Sequence, residues 1–412
     1  MAKKKNGLDG IGNGNNGSVY DLIKSFDNFA EILSESKTAV IKEYIDTGNY
    51  MLNACMTGSL FRGLPSSRIT TFAGPSGCGK SFISVSICRN AQKVGYTPIY
   101  LDSESAIDID FVKRLGCDPS NFIIRPVNKV SEVSTFITRL CENLMSKPED
   151  ERQKIIIVLD SLGNLTSDKE HSDIIEGNNK RDMTLQREVK AMFRNIASPM
   201  GILGIPMICT SHVYQTMDLF SKTVVSGGTG VQFAGSLTIM LTNAKLEDKS
   251  SDAAVAGKVG DFTKTGVVVT ATPQKSRFTI PQKVQFQIPF FKAPNPYVGL
   301  EKYLTWENSG VIRGEILTKK EYEKLPDTDK GKCYEMADEN GEVCYARPKD
   351  TARTIVVKHL GTKIPVAELW TSKVFTDELL HKLDENVIRP SFELPSSDSF
   401  ADVEELIDID EE

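Results

Sequence analysis

Residues 68–83 read RITTFAGPSGCGKSFI. A short apolar strand, 68–74, runs into GPSGCGKS at 74–81, which satisfies G-x-x-x-x-G-K-[ST] in full, and a helix is expected from Lys80-Ser81 onward. Gly74, Gly77 and Gly79 let the loop Pro75-Ser76-Gly77-Cys78 turn its backbone N–H groups inward around phosphate oxygens. The helix N-terminus adds partial positive charge. Lys80 is placed to reach the β- and γ-phosphates, Ser81 offers a hydroxyl to Mg²⁺, and Phe82 follows on the first helical turn. A strand–loop–helix unit of this kind implies a nucleoside triphosphate and Mg²⁺.

Moving outward, TPIYLDSE (97–104), IIIVLD (155–160) and GIPMICTSH (204–212) are further apolar runs, separated by stretches long enough for helices. Unbroken apolar strands alternating with helices predict an α/β fold with a mostly parallel sheet covered on both faces. GVVVTATP (266–273) and KVQFQIPF (283–290) read as edge strands, and the polar, small-residue stretch 244–266 as an exposed loop. Upstream, the Gly/Asn-rich residues 6–18 read as a flexible leader. Val19, Leu22, Ile23, Phe26, Phe29 and Leu33 then recur at helical spacing. That stripe docks either on its own domain or on a neighbouring subunit. The expected organisation is a leader (1–18), an N-terminal oligomerisation segment (19–44), an α/β core (45–300), a smaller C-terminal region (301–389) and an acidic tail (390–412).

The 412 residues are 40% hydrophobic and 25% charged, the balance of a soluble globular protein. No apolar run approaches the roughly 18 residues of a membrane helix. Eight cysteines contain no CxxC pair, which disfavours zinc and fits a reducing cytoplasm. Nine acids and no base lie in 390–412; subtracting them from the net −6 leaves +3 on residues 1–389. The tail either keeps the protein soluble or engages basic groups, its own or a partner's.

The strand ends supply the remaining chemistry. Asp160 closes IIIVLD at the carboxyl end of a buried strand, where α/β sheets place their ligands, and is the natural acid for Mg²⁺. Glu104, closing YLDSE, is the candidate to orient or deprotonate an attacking water, with Asp102 as the competing choice. His212 follows GIPMICTS and would touch the γ-phosphate, although a lone histidine is more often structural.

AGPSGCGKS, YLDSESAID, VLDSLGNL and LFSKTVVSGGTGVQFAGS (219–236), in this order, resemble the RecA-type recombinase ATPases, most closely the UvsX recombinases of tailed bacteriophages. The resemblance covers roughly residues 45–300. It implies a RecA-like P-loop core and an ATP-dependent helical filament on single-stranded DNA that pairs homologous duplex DNA and exchanges strands. It also implies a recombination mediator and a single-strand-binding protein as partners, in a host cytoplasm if the chain is phage-encoded. By this resemblance Glu104 is the catalytic glutamate, Asp160 the Walker B acid and His212 the γ-phosphate sensor. Asp108 and Phe111 fall beside the adenine, and Lys275 and Arg277 reach a neighbouring subunit's phosphates. The two DNA-contacting loops fall near 164–182, with Lys169, Lys180 and Arg181, and near 213–231, with Met217, Phe220, Lys222, Gly227 and Gly228. Two other uses of such a core are a hexameric DNA translocase and a single-strand coating protein for which ATP is only a conformational ligand. A positioned Glu104 disfavours the latter, and the short stretch ahead of the core disfavours the former.

Overall fold

The computed structural model describes residues 40–176, 184–215, 223–225, 235–247, 264–290 and 293–394, with single positions 19, 23, 24, 32, 33 and 36 ahead of them. Residues 1–42 and 43–412 form separate units. In the first, Val19, Ile23 and Lys24 are helical, as the apolar stripe there predicts.

The second unit opens with a short antiparallel pair, β1 (Tyr44–Ile45) with β2 (Leu64–Pro65), enclosing helix α1 (Tyr50–Thr57). Asn49 caps α1 by accepting from the Leu52 N–H at 3.0 Å, and Gly58 ends it in the left-handed conformation. An α/β succession follows: β3 (Ile69–Ala73), α2 (Lys80–Lys93), β4 (Thr97–Asp102), α3 (Ile109–Arg114), β5 (Ile123–Pro126), α4 (Val130–Met145), β6 (Ile155–Asp160), α5 (Asp168–Ile175), α6 (Leu185–Leu203) and β7 (Met207–Ser211). A hairpin, β8 (Val213–Gln215) with β9 (Thr223–Val225), leads on to β10 (Leu237–Glu247), β11 (Lys264–Ser276) and β12 (Val284–Pro289). Eight strands form one sheet in the order β12-β11-β10-β3-β7-β6-β4-β5. It is parallel from β10 to β5 and antiparallel through β11 and β12.

The alternation of side chains along each strand sorts the core into two layers. Ile155, Ile157 and Leu159 of β6 join Ile99, Leu101, Met207 and Cys209 under α4 and α6. Ile156 and Val158 point the other way, with Phe72, Tyr100 and Ile208, beneath α2. A sheet wrapped on both sides has no polar alternation to show, which is why these strands read as continuous apolar runs.

Several expectations need correction. GVVVTATP is not an edge, since β11 lies between β10 and β12. The stretch 244–266 is not wholly a loop: β10 and β11 extend into it from both ends, pairing Lys245 with Val267 and Glu247 with Lys264. Beyond residue 300 lies an antiparallel sheet of five strands: β13 (Val311–Thr318), β14 (Tyr334–Ala337), β15 (Val343–Pro348), β16 (Thr354–Val357) and β17 (Thr362–Pro365), ordered β14-β15-β13-β16-β17. The chain then returns to the main core: Leu379, Leu380, Leu383, Ile388 and Phe392 are buried in the layer that holds α1 and α2. The boundary placed at residue 390 therefore falls inside the helix Arg389–Phe392. Among the described residues no helix is long and apolar enough to cross a membrane.

Candidate active site

Because β3, β4, β6 and β7 run parallel, their carboxyl ends emerge along one edge of the sheet, and every strand-end residue singled out above lies there. The loop after β3 wraps the start of α2. Gly77 and Gly79 have φ values of 73° and 94°, in the left-handed region. A Cβ on Gly79 would also lie 2.5 Å from Ile288 Cδ1. Asn243 of β10 ties the loop down by donating to the Gly77 carbonyl at 2.8 Å. Lys80 is buried, and its Nζ donates to the carbonyls of Gly74 and Pro75, both at 2.9 Å. The third neighbour of the ammonium is Cys78 Sγ at 4.0 Å, a poor acceptor, so one N–H donor is left weakly used.

The loop opens on a cavity of about 810 Å³ lined by Ser76, Gly77, Gly79, Lys80, Ser81 and Phe82, and also by Arg89, Phe111, Arg114, Phe286 and Ile288. That is ample for a nucleotide. Gly74 and Pro75 lie beneath it as acceptors for Lys80, and the Cys78 side chain is buried. The Ser81 hydroxyl has no hydrogen-bond partner among the described residues and faces the cavity, a donor set suited to a triphosphate with Mg²⁺. Of the pair assigned to the adenine side, Phe111 lines the cavity. Asp108 does not: it caps α3, accepting from the Phe111 N–H at 2.7 Å, and so sets the helix that carries that ring.

Glu104 and His212 also line this cavity. Each stands beyond its strand rather than at its end, Glu104 two residues past β4 and His212 one past β7. They meet through Glu104 Oε1 and His212 Nε2 at 2.9 Å, and the Ser161 hydroxyl donates to the same Oε1. Burial acts to raise the Glu104 pKa. The hydrogen bonds from Ser161 and His212, with the charges of His212 and Lys80, outweigh it and hold the carboxyl below its ordinary value. Asp102, the competing acid, is buried and turned back on its own chain: Oδ1 accepts from the N–H of Glu104 at 2.9 Å and of Ala106 at 3.4 Å. It shapes the turn that presents Glu104.

Asp160 is 1% exposed, and its two oxygens accept separately from the hydroxyls of Tyr100 and Thr210. Burial, then the charge of Asp160 and the bond to it, push the Tyr100 phenol well up, so it stays a donor. The peptide bond between Asp160 and Ser161 is cis. Ser161 N–H donates to Ser103 Oγ at 2.8 Å while Ser103 Oγ donates to the Ser161 carbonyl at 2.6 Å, stitching the turn after β4 to the end of β6. Sequence reasoning missed Ser103, Ser161, Tyr100, Thr210 and Asn243. Ser103, between Asp102 and Glu104, and Ser161, directly after Asp160, carried a local signal.

Lys275 and Arg277 do not join this site. β11 is antiparallel to β10, and the register sets Lys275 level with Thr238 and hence with Thr71, three residues before Gly74 and two strands away. Burial, then the neighbouring Arg277 charge, lower the Lys275 pKa. In the first expected DNA loop, Lys169 is exposed on α5, so part of that stretch is helix. The second begins as the hairpin β8–β9. Lys180, Arg181, Met217, Phe220, Lys222, Gly227 and Gly228 lie outside the described residues.

Comparison with known proteins places these features in context. The model of the RecA N-terminal domain matches residues 19–259, more than half of the chain. The recombination and repair protein of Enterobacteria phage T4 is 27% identical over 272 residues, 65% of this chain and 65% of that protein. The RecA protein of Nautilia profundicola is 25% identical over 233 residues, 54% of this chain and 60% of that one. The chloroplastic DNA repair protein recA homolog 1 of Arabidopsis thaliana is 25% identical over 280 residues, 66% and 58% respectively. In each case the match spans less than two thirds of the relative's length.

Proposed function

The chain belongs to the RecA family, and from that premise we propose that it is a DNA-dependent ATPase that coats single-stranded DNA as a helical filament and drives homologous pairing and strand exchange. The observation that carries the reading is the Glu104–His212 hydrogen bond in the lining of the P-loop cavity, with the hairpin β8–β9 starting at the residue after His212. One bond thus joins a candidate catalytic base to the stretch that would hold DNA.

In this reading the P-loop amides, Lys80 and Ser81 would bind ATP with Mg²⁺, and Asp160 would be the acid that serves the metal. Bound Mg²⁺ supplies charge neutralisation for the phosphates. Glu104 orients the attacking water and accepts its proton. His212 alternates between Glu104 and the γ-phosphate, so nucleotide state reaches the hairpin. Phe111 packs on the base side. Residues 19–44 join neighbouring subunits, and Lys275 and Arg277 serve the next subunit's nucleotide. Lys169, Lys180, Arg181, Met217, Phe220, Lys222, Gly227 and Gly228 contact DNA, homologous duplex is the second substrate, and a mediator and a single-strand-binding protein are the expected partners.

Electron microscopy with single-stranded DNA and ATP, paired with a strand-exchange assay, tests the reading. Open helical filaments and exchanged products are expected. Closed rings that move along DNA without exchanging strands would make the protein a translocase instead.

A further inference from the structure

We propose that Tyr100 and Thr210 are positioning residues for the metal-facing acid: their hydroxyls hold the Asp160 carboxylate in the orientation in which it serves Mg²⁺. The inference rests on the ATPase reading above and adds two residues to it.

Sheet geometry brings the three together. Asp160 faces the α2 side of β6, as do Tyr100 on β4 and Thr210 on β7, the strands flanking β6 on either side. Leu159 pairs with Cys209, so Thr210 stands beside Asp160; Tyr100 pairs with Val158 and reaches forward along the strand. A carboxylate has about four lone-pair sites, and the two hydroxyls take one on each oxygen. The group can then neither rotate nor swap oxygens without breaking a bond. Among the described residues these hydroxyls are the side-chain donors that Asp160 has. Packing alone does not call for them. The neighbours on this face, Val158 and Ile208, are apolar, and phenylalanine at 100 with valine at 210 would fill nearly the same volume. The oxygen atoms are what the carboxylate uses.

The test titrates Mg²⁺ while following binding of a fluorescent ATP analogue to the full chain, for wild type, Tyr100→Phe, Thr210→Val and Thr210→Ser. Groups that orient a metal site typically affect affinity by about 10–100-fold. Tyr100→Phe and Thr210→Val are expected to raise the Mg²⁺ midpoint at least about tenfold while metal-free nucleotide binding stays at the wild-type level. Thr210→Ser, which keeps the hydroxyl, should track wild type. If Tyr100→Phe and Thr210→Val keep the wild-type midpoint, or if Thr210→Ser shifts as far as Thr210→Val, the positioning role is overturned and the nucleotide site stands. Should wild type bind no nucleotide at any Mg²⁺ concentration, the ATPase reading falls and this proposal with it. Tyr100→Phe and Thr210→Val lie on different strands, so one misfolded variant still leaves the other to decide.

Discussion

Which of two acids, two residues apart, acts as base is a question of backbone geometry. Ser105 has φ 53°, a left-handed conformation that costs a side-chain-bearing residue roughly 1–2 kcal/mol. The 2.9 Å bond from the Glu104 N–H to buried Asp102, worth about 1.5–3 kcal/mol, offsets that strain, with a longer contact from the Ala106 N–H beside it. Asp102 is thereby committed to the turn and Glu104 is turned out to the cavity. Glu104→Gln is expected to lower kcat by about 10²–10⁴-fold with nucleotide binding retained, measured by steady-state hydrolysis beside ATP-analogue titration. Wild-type turnover in that variant would remove Glu104 from the chemistry. Because its pKa is depressed, the acid limb of kcat/KM should fall below the ordinary 4.5, and losing the His212 bond should move it up. The linked stability has the same sign: it is complete above 4.5 and fades as pH falls through the lowered value.

Elements differ in how plainly the sequence announces them. The strand–loop–helix at 68–83 is legible because all its determinants are local, and β4, β6 and β7 are legible because a doubly covered strand must be apolar throughout. The five-stranded sheet was not. Only Val311 and Gly314 of β13 are fully buried, so its charged residues hide the alternation that would mark a strand. Asp160 and His212 stand out as polar residues closing apolar runs, whereas the Tyr100–Asp160–Thr210 contact depends on the pairing register of three strands far apart in the chain. The hairpin β8–β9 is the element through which His212 would act. ATP should tighten single-strand binding in wild type, by a coupling in the usual range of roughly 5–150-fold. His212→Ala should abolish that difference in an anisotropy titration with and without ATP. An equal ATP effect in both proteins would remove the histidine from the coupling.

Across the whole molecule, the antiparallel pairing of β11 with β10 sets Lys275 and Arg277 away from the edge of the sheet where Lys80, Glu104 and Asp160 lie. If those bases serve a neighbour, a Lys80→Ala chain mixed with a Lys275→Ala, Arg277→Ala chain should recover part of the ATPase activity that neither has alone. Some mixed junctions would then unite an intact P-loop with intact bases. Co-assembly verified by cross-linking without any recovery would confine the bases to their own subunit. The eight-stranded sheet then resembles a coupling rod with a socket at one end and a plug at the other. A solitary copy owns both fittings and can join neither; an open line always leaves one socket unfilled, so turnover per copy would climb as more copies join.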